Sequence, residues 1–475
     1  MRILIFLAAF FSLSHARAQD STLKYAASLV LAGATSHTPY WLHVNQYGSI
    51  PTNGNFASGK WSLYKIYHPN DPRLLQWSAG AEVVTNAGIP SNGQFFFTDI
   101  FASARLGPVE FLAGQKKSVV GLVDSSLTSG SLAFSGNSRP FPRLQISIPE
   151  FHPIAFTNYY IALKASYSDG RLGPADLAYG NTRQIPNTYF HQKQLYLRFG
   201  DYHSRLVLYT GINHQAIWGG EDKIWPIYKL TPGRAYWYTI TGKSLDYKKI
   251  GDHFGSIDIA AQWKSRKWSY YVYRQNIYEN SSIFKIINFS DGLTGIRLKK
   301  LHQLSKRPRA FKFQSLVVEY INTRSQTNEF SNSNLVLFQN ANYFNHYIYK
   351  NGWSYYGRSI GTPLIPPSSL TREEIENSKS QFTNTNRNWA VHGAMSARWL
   401  NCSILFKGTY SHNLGTYLLP YDQPRNQLSF LLSAEKNIPF FKNSTFITSI
   451  ASDIGKLYPN STSLLIGIRK NGYLN

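Results

Sequence analysis

Gln427-Leu428-Ser429-Phe430-Leu431-Leu432-Ser433-Ala434-Glu435 is the stretch whose reading decides the fold. Leu428, Phe430, Leu432 and Ala434 fall on one side of an extended chain, with Gln427, Ser429, Ser433 and Glu435 on the other. A strand with two unlike faces has this period of two. The pattern recurs upstream and downstream. Ile404, Phe406, Gly408 and Tyr410 oppose Ser403, Lys407, Thr409 and Ser411; Phe446, Thr448 and Ile450 oppose Ser449, Ala451 and Asp453. Leu464, Ile466 and Ile468 oppose Ser463, Gly467 and Arg469. Segments near 76–86, 95–106, 155–167, 194–200, 204–213, 255–264, 267–277, 311–321 and 388–399 read alike. They predict an all-β chain of about eighteen strands, a normal even number for a transmembrane antiparallel β-barrel. Leu428, Phe430, Leu432, Ile404 and Phe406 are then expected to face lipid, and Glu435, Lys407 and Asp453 the lumen, because a charge at the bilayer midplane costs about 2–4 kcal/mol.

The N-terminus predicts export. Met1-Arg2 is a short positive region, Ile3 to Leu13 is almost purely apolar, and Ala16-Arg17-Ala18 offers small residues for cleavage before Gln19. An apolar run of about eleven residues cannot span a ~30 Å hydrocarbon core, so residues 1–18 read as a signal peptide and not an anchor. Cys402 is the sole cysteine, which excludes an intramolecular disulfide. No later stretch approaches eighteen consecutive apolar residues, which excludes helical spans, while barrel strands average to the slightly negative mean hydropathy seen here. The aromatics (32 Tyr, 29 Phe, 11 Trp) suit the belts at a bilayer's two faces.

Connections differ in length. Leu400-Asn401 reads as a tight turn, whereas 170–192, 214–254 and 322–387 read as long polar loops, the expected division between periplasmic turns and outward loops. Thr371 and Glu374 form a capping-box pattern that predicts a helix ahead of Ile375. A soluble β-protein would share the alternation, but no repeat of 20–50 residues is present.

The formal net charge is +24, or +22 once Arg2 and Arg17 leave with the signal. Such a surface attracts polyanions. Export argues against nucleic acid, leaving lipid phosphates and acidic polysaccharide, or a solvated surface with no defined ligand. No metalloprotease, P-loop or dinucleotide motif occurs, and no catalytic residue, metal or cofactor is expected. Two aromatic clusters are candidate sugar contacts, since flat rings stack on sugars and carboxylates accept from hydroxyls. One is Trp218, Glu221, Asp222 and Trp225, for which a lumen plug and a Gly219-Gly220 turn is the alternative. The other runs from Tyr343 to Arg358 with Lys350 and Trp353, for which an interfacial girdle is the alternative.

Several segments in order resemble the capsule assembly Wzi family of outer-membrane proteins. They are Pro39-Tyr40-Trp41-Leu42-His43-Val44-Asn45-Gln46-Tyr47-Gly48, then Ala113 to Lys117, Gly121-Leu122-Val123-Asp124 and Leu127 to Ser131. Ser135 to Arg143, with Arg139-Pro140-Phe141-Pro142 inside, Ile148-Pro149-Glu150, His214 and Trp218-Gly219-Gly220 continue it. Asp291-Gly292-Leu293-Thr294-Gly295, Asn342 to His346, Gly352-Trp353 and Ile360 to Leu364 complete it. The resemblance implies an eighteen-stranded outer-membrane barrel with a lumen plugged by loops. It implies a lectin-like partner of capsular or other surface polysaccharide, acidic or neutral, and no catalysis. On that reading residues 19–75 form an N-terminal segment (first strand, periplasmic cap or plug) and 76–475 the barrel. Lys116, Lys117, Arg139 and Arg143 are candidate rim cations. A porin for sugars or small solutes is the competing function, and a rim-located enzyme a third.

Overall fold

The computed structural model describes residues 22–68, 73–89, 93–201, 203–245, 248–279, 289–301, 311–326 and 341–474. The expected signal peptide lies outside them. Eighteen strands form one antiparallel sheet in which each pairs with its neighbours in sequence. The first strand, Leu23–Ala34, pairs with the second, Asn55–Lys65, and also with the last, Ser461–Tyr473, so the sheet closes on itself. Closure leaves no edge of unpaired peptide groups, the condition for a sheet in lipid.

The alternation sets the two faces. Phe406, Leu428, Leu432, Ile450, Leu464, Ile466 and Ile468 are exposed on the outside, while Gln427, Ser429, Ser449 and Asp453 are buried within. Lys407 points inward, its Nζ 4.9 Å from the Trp41 ring, so the expected register holds at the charged positions. Exposed Trp77, Trp263 and Trp399 lie at the strand ends nearest the short turns, as an interfacial belt requires. At that end Leu400 and Asn401 make a two-residue turn with φ of 51° and 63°. The long connections, 35–54, 116–142, 219–251 and 323–387, all leave the opposite end, which is therefore the outer surface.

Four expectations change. The wall begins at Leu23 and includes two strands before residue 76. Residues 170–192 are no long loop, because Ile161–Asp176 and Gln184–Phe199 continue as a bulged hairpin and leave only 177–183 as the connection. The strand placed at 155–167 starts at Ile161, after a 3-10 turn at Ala155–Thr157. No helix follows Thr371: its hydroxyl donates back to Ser368 O at 2.8 Å, and Arg372 is drawn to the wall by Tyr458 O and Gly455 O. The longest helix among the described residues is instead Pro232–Thr241, with Thr231 as N-cap, proline in the first turn and left-handed Gly242 at its end.

The outer half of the lumen is filled. Leu132, Phe134, Phe141, Phe344, Trp353 and Ile360 from the loops pack against Phe190, Phe254, Ile277, Leu293 and Ile321 of the wall. The barrel is therefore plugged at its extracellular mouth by its own loops.

Candidate functional site

A loop enters a barrel only if its buried backbone groups find partners. Inward-facing carboxylates supply them. Asp99 accepts Lys117 N at 2.7 Å, Asp258 accepts Leu122 N at 2.9 Å, and Glu319 accepts Ser129 N at 2.7 Å. Glu319 also accepts from the hydroxyls of Thr128, Ser129 and Tyr273, each within 2.6 Å. Asp453 accepts Tyr40 N at 2.9 Å and fixes the short helix Tyr40–His43 inside. At the loop's own end, Asp291 accepts the amides of Ser325 and Gln326 at 3.0 and 2.7 Å and the Tyr343 hydroxyl at 3.1 Å. Burial pushes the Asp291 carboxyl up from its ordinary value, opposed by these bonds.

Most of the residues that carry the resemblance lie in the plug or against it. Trp41 packs on His392 at 4.8 Å, and Asn45, at φ 54°, donates to Ser129 O. Asp124 accepts Leu127 N at 2.8 Å and pairs with Arg297; burial raises its carboxyl, but these bonds outweigh it and hold it below the ordinary value. Gly121 and Gly292 have φ of 120° and 149°, and a Cβ on either would strike Gln275. Pro140 is buried and Gln46 exposed.

Above the plug, at the rim beside the second to fourth strands, a pocket of about 140 Å³ opens between Gly48–Asn53, Asn86, Gln94, Arg139, Tyr356 and Arg358. The Arg139 guanidinium lies 3.4 Å from the Phe96 ring centroid and 4.7 Å from that of Tyr356, and donates to Gln94 Oε1 at 2.9 Å. Arg358 donates to His43 O at 3.2 Å and Ile50 O at 2.6 Å. Neither arginine has a carboxylate partner among the described residues, and no acidic residue lines the pocket. Burial, aided by the charge of Arg139, pushes Arg358 down to about 10, still fully protonated at neutral pH. Asn86 Oδ1 is buried without a donor. Two mutually repelling cations and an exposed Tyr356 ring suit a planar anion attached to a hydroxyl-rich ring.

Of the expected sugar contacts, the structure brings none into this pocket. Tyr343 and Trp353 are completely buried in the plug, where Trp353 Nε1 donates to Ala133 O at 3.0 Å, so neither offers a face to a ligand or forms a girdle. Trp218 is 9% exposed and packs on Tyr189 and Tyr236. Glu221 is folded back on Gly219 N at 2.8 Å, and burial pushes its carboxyl up. Asp222 is exposed, Trp225 half-buried against Tyr179, and Lys350 half-buried with its amide on Asp176 O. Among the rim cations, Lys116 and Lys117 pair with Glu110 and Glu82, and Arg143 bonds Gln145 and Ser118; Arg139 alone reaches the pocket. Phe96, Asn86 and Asn53 carried no sequence signal, because only the folding of the loop 116–142 sets Arg139 beside them.

This architecture defines an outer-membrane β-barrel with an occluded mouth. Its fold is similar to that of Wzi from Escherichia coli, described as a carbohydrate-binding β-barrel involved in group 1 capsule assembly. The two share 13% identity at a TM-score of 0.59, over 98% of this chain and 86% of that one. OccAB4 of Acinetobacter baumannii (9% identity, TM-score 0.47, covering 96% of this chain and 99% of that one) is less similar. So is OprD of Pseudomonas aeruginosa (8%, 0.43, covering 97% of each chain). No protein-family model and no curated protein matches the sequence.

Proposed function

We propose that this protein is a non-catalytic, lectin-like binder that holds an acidic capsular or surface polysaccharide at the outer face of the barrel. The observation that carries the reading is the acid-free pocket with Arg139, Arg358 and Tyr356. The carbohydrate binding described for the E. coli barrel of similar fold supports it. One shallow pocket suffices, because a polymer engages many barrels at once and weak contacts sum. The test compares an acidic polysaccharide with its carboxyl-reduced, neutral form on the purified barrel. Binding of the acidic form at least about tenfold tighter, the range for one charge-assisted contact, is expected. Equal binding of both forms would remove the arginine pocket from the account.

A porin for sugars or small solutes is the second reading. It is favoured by inward-facing Arg105 and Arg198 towards the short-turn end, where the lumen is polar. Large steady openings of the wild-type barrel in a planar bilayer would establish it.

A further inference from the structure

Past Ile224 and Trp225, which pack with the plug, the described part of the loop 219–251 lies outside the lumen. Strand parity places it outside. Lys193 and Leu195 lie on the same face of one strand, opposite His214 and Ile212 of the next, and Leu195 and Leu208 of this face are exposed to lipid. Asp169, His191 and His253 share that outward face, because Asp169 pairs with His191, and His191 and His253 each pair with Ala216. These polar groups, directly above an apolar band, are covered by the helix Pro232–Thr241. Tyr236 Oη donates to Asp169 Oδ2 at 2.8 Å, and Lys193 Nζ donates to Ile240 O at 2.5 Å. Trp218, Leu230, Ala235 and Ile250 form a small separate core beneath the helix.

The covering segment thus lies against the barrel's outer wall at headgroup level. Its free side is amphipathic in a particular way. Ile227 is 83% exposed and Trp237 55%, with Arg234 one helical turn from Trp237 on the same stripe. Lys223, Lys229, Arg234 and Lys243 are exposed, and Asp222 is the only exposed acid among the described residues of the loop. An aromatic and an aliphatic side chain with several cations that have no carboxylate partner among the described residues match a lipid headgroup region carrying phosphate.

We propose that this overlay is a binding surface for phosphorylated lipid of the outer leaflet. Lys223, Lys229, Arg234 and Lys243 take the phosphates, while Trp237 and Ile227 rest at the boundary of the acyl chains. The site is separate from the arginine pocket, so either can fail without the other.

The test uses the full-length folded barrel, lipid A as probe, and native mass spectrometry to count lipid retained in detergent. Dephosphorylated lipid A is the control. The charge-reversed variant Lys223→Glu/Lys229→Glu/Arg234→Glu is expected to bind lipid A on the order of a hundredfold more weakly, about fivefold for each cation lost. Wild type should prefer the phosphorylated lipid. Heat-modifiable gel mobility reports folding; if the reversed variant does not fold, the neutral variant Lys223→Gln/Lys229→Gln/Arg234→Gln decides, with the same weakening expected. Unchanged lipid A retention in the folded variant, or equal retention of both lipids by wild type, would overturn the proposal. So would a variant that alters the barrel's oligomeric mass and not its lipid count, which would make the overlay a protein interface.

Discussion

The loops 116–142 and 219–251 look alike as sequence: both are long, polar and punctuated by glycine and aromatic residues. One is drawn into the lumen and the other lies on the outer wall. The difference is made by the strands beneath them. Asp99, Asp258 and Glu319 point inward and accept the amides of Lys117, Leu122 and Ser129, so the first loop can bury its backbone. Asp169, Lys193 and His253 point outward, and the second loop satisfies them from outside through Tyr236, Ile240 O and Ile250 O. Strand parity at the barrel's mouth therefore decides where a loop goes, and composition of the loop does not.

Breaking the inner arrangement should have the largest effect. Glu319→Ala removes four bonds to a buried carboxylate, each worth about 1.5–3 kcal/mol. Steady bilayer conductance is expected from the variant and none from wild type, with the barrel still heat-modifiable. A silent variant would mean that the plug does not depend on these staples.

The outer arrangement yields a smaller, local loss. Trp218→Ala empties the core beneath the helix at a cost of about 3 kcal/mol, and an external protease should then cut within 219–251. Binding of polysaccharide should persist. If binding falls while the loop stays intact, Trp218 returns as a sugar platform.

The plug should also sense acid. Burial, reinforced by Arg358, holds His43 well below its ordinary 6.5, and burial holds His346 at about 3, where its Nδ1 accepts the amides of Ile348 and Tyr349. Both folded values lie below the unfolded one, so the unfolded segment takes up protons first as pH falls. The stability present above pH 6.5 is lost below it, by about 1.4 kcal/mol per pH unit for each proton. Hydrogen exchange of the segments 40–50 and 341–353 should accelerate at about pH 5, while the strands Ser444–Gly455 and Ser461–Tyr473 stay protected. Uniform acceleration would assign the effect to the whole barrel.

The wall was legible because lipid imposes period two on every strand: Leu428, Leu432 and Phe406 went outward and Lys407 and Asp453 inward as the alternation dictates. The plug was legible only as a resemblance, since the partners of Gly121, Asp258 and Asp291 lie far away in sequence. Aromatic content misled at Tyr343 and Trp353, because a ring that fills a lumen and one that meets a sugar have the same letter. Parity could have warned about Trp218, which continues the outward series Leu206, Leu208 and Ile212. The pocket was not legible. Asn86 and Phe96 share one hairpin, but Arg139 and Tyr356 come from two distant loops, and only the folding of those loops onto the hairpin assembles the four.

The central claim is that unpaired guanidinium groups at the rim recognise an acidic polymer. Its most direct test is affinity for an acidic polysaccharide measured from about 0.1 M to about 1 M salt, across which the Debye length falls from about 10 Å to about 3 Å. Wild-type binding should weaken progressively, and Arg139→Gln should be weaker at low salt with a shallower slope. What remains at high salt is the stacking on Tyr356, which simple salt does not screen. A flat wild-type response, or an Arg139→Gln slope equal to that of wild type, would contradict the claim.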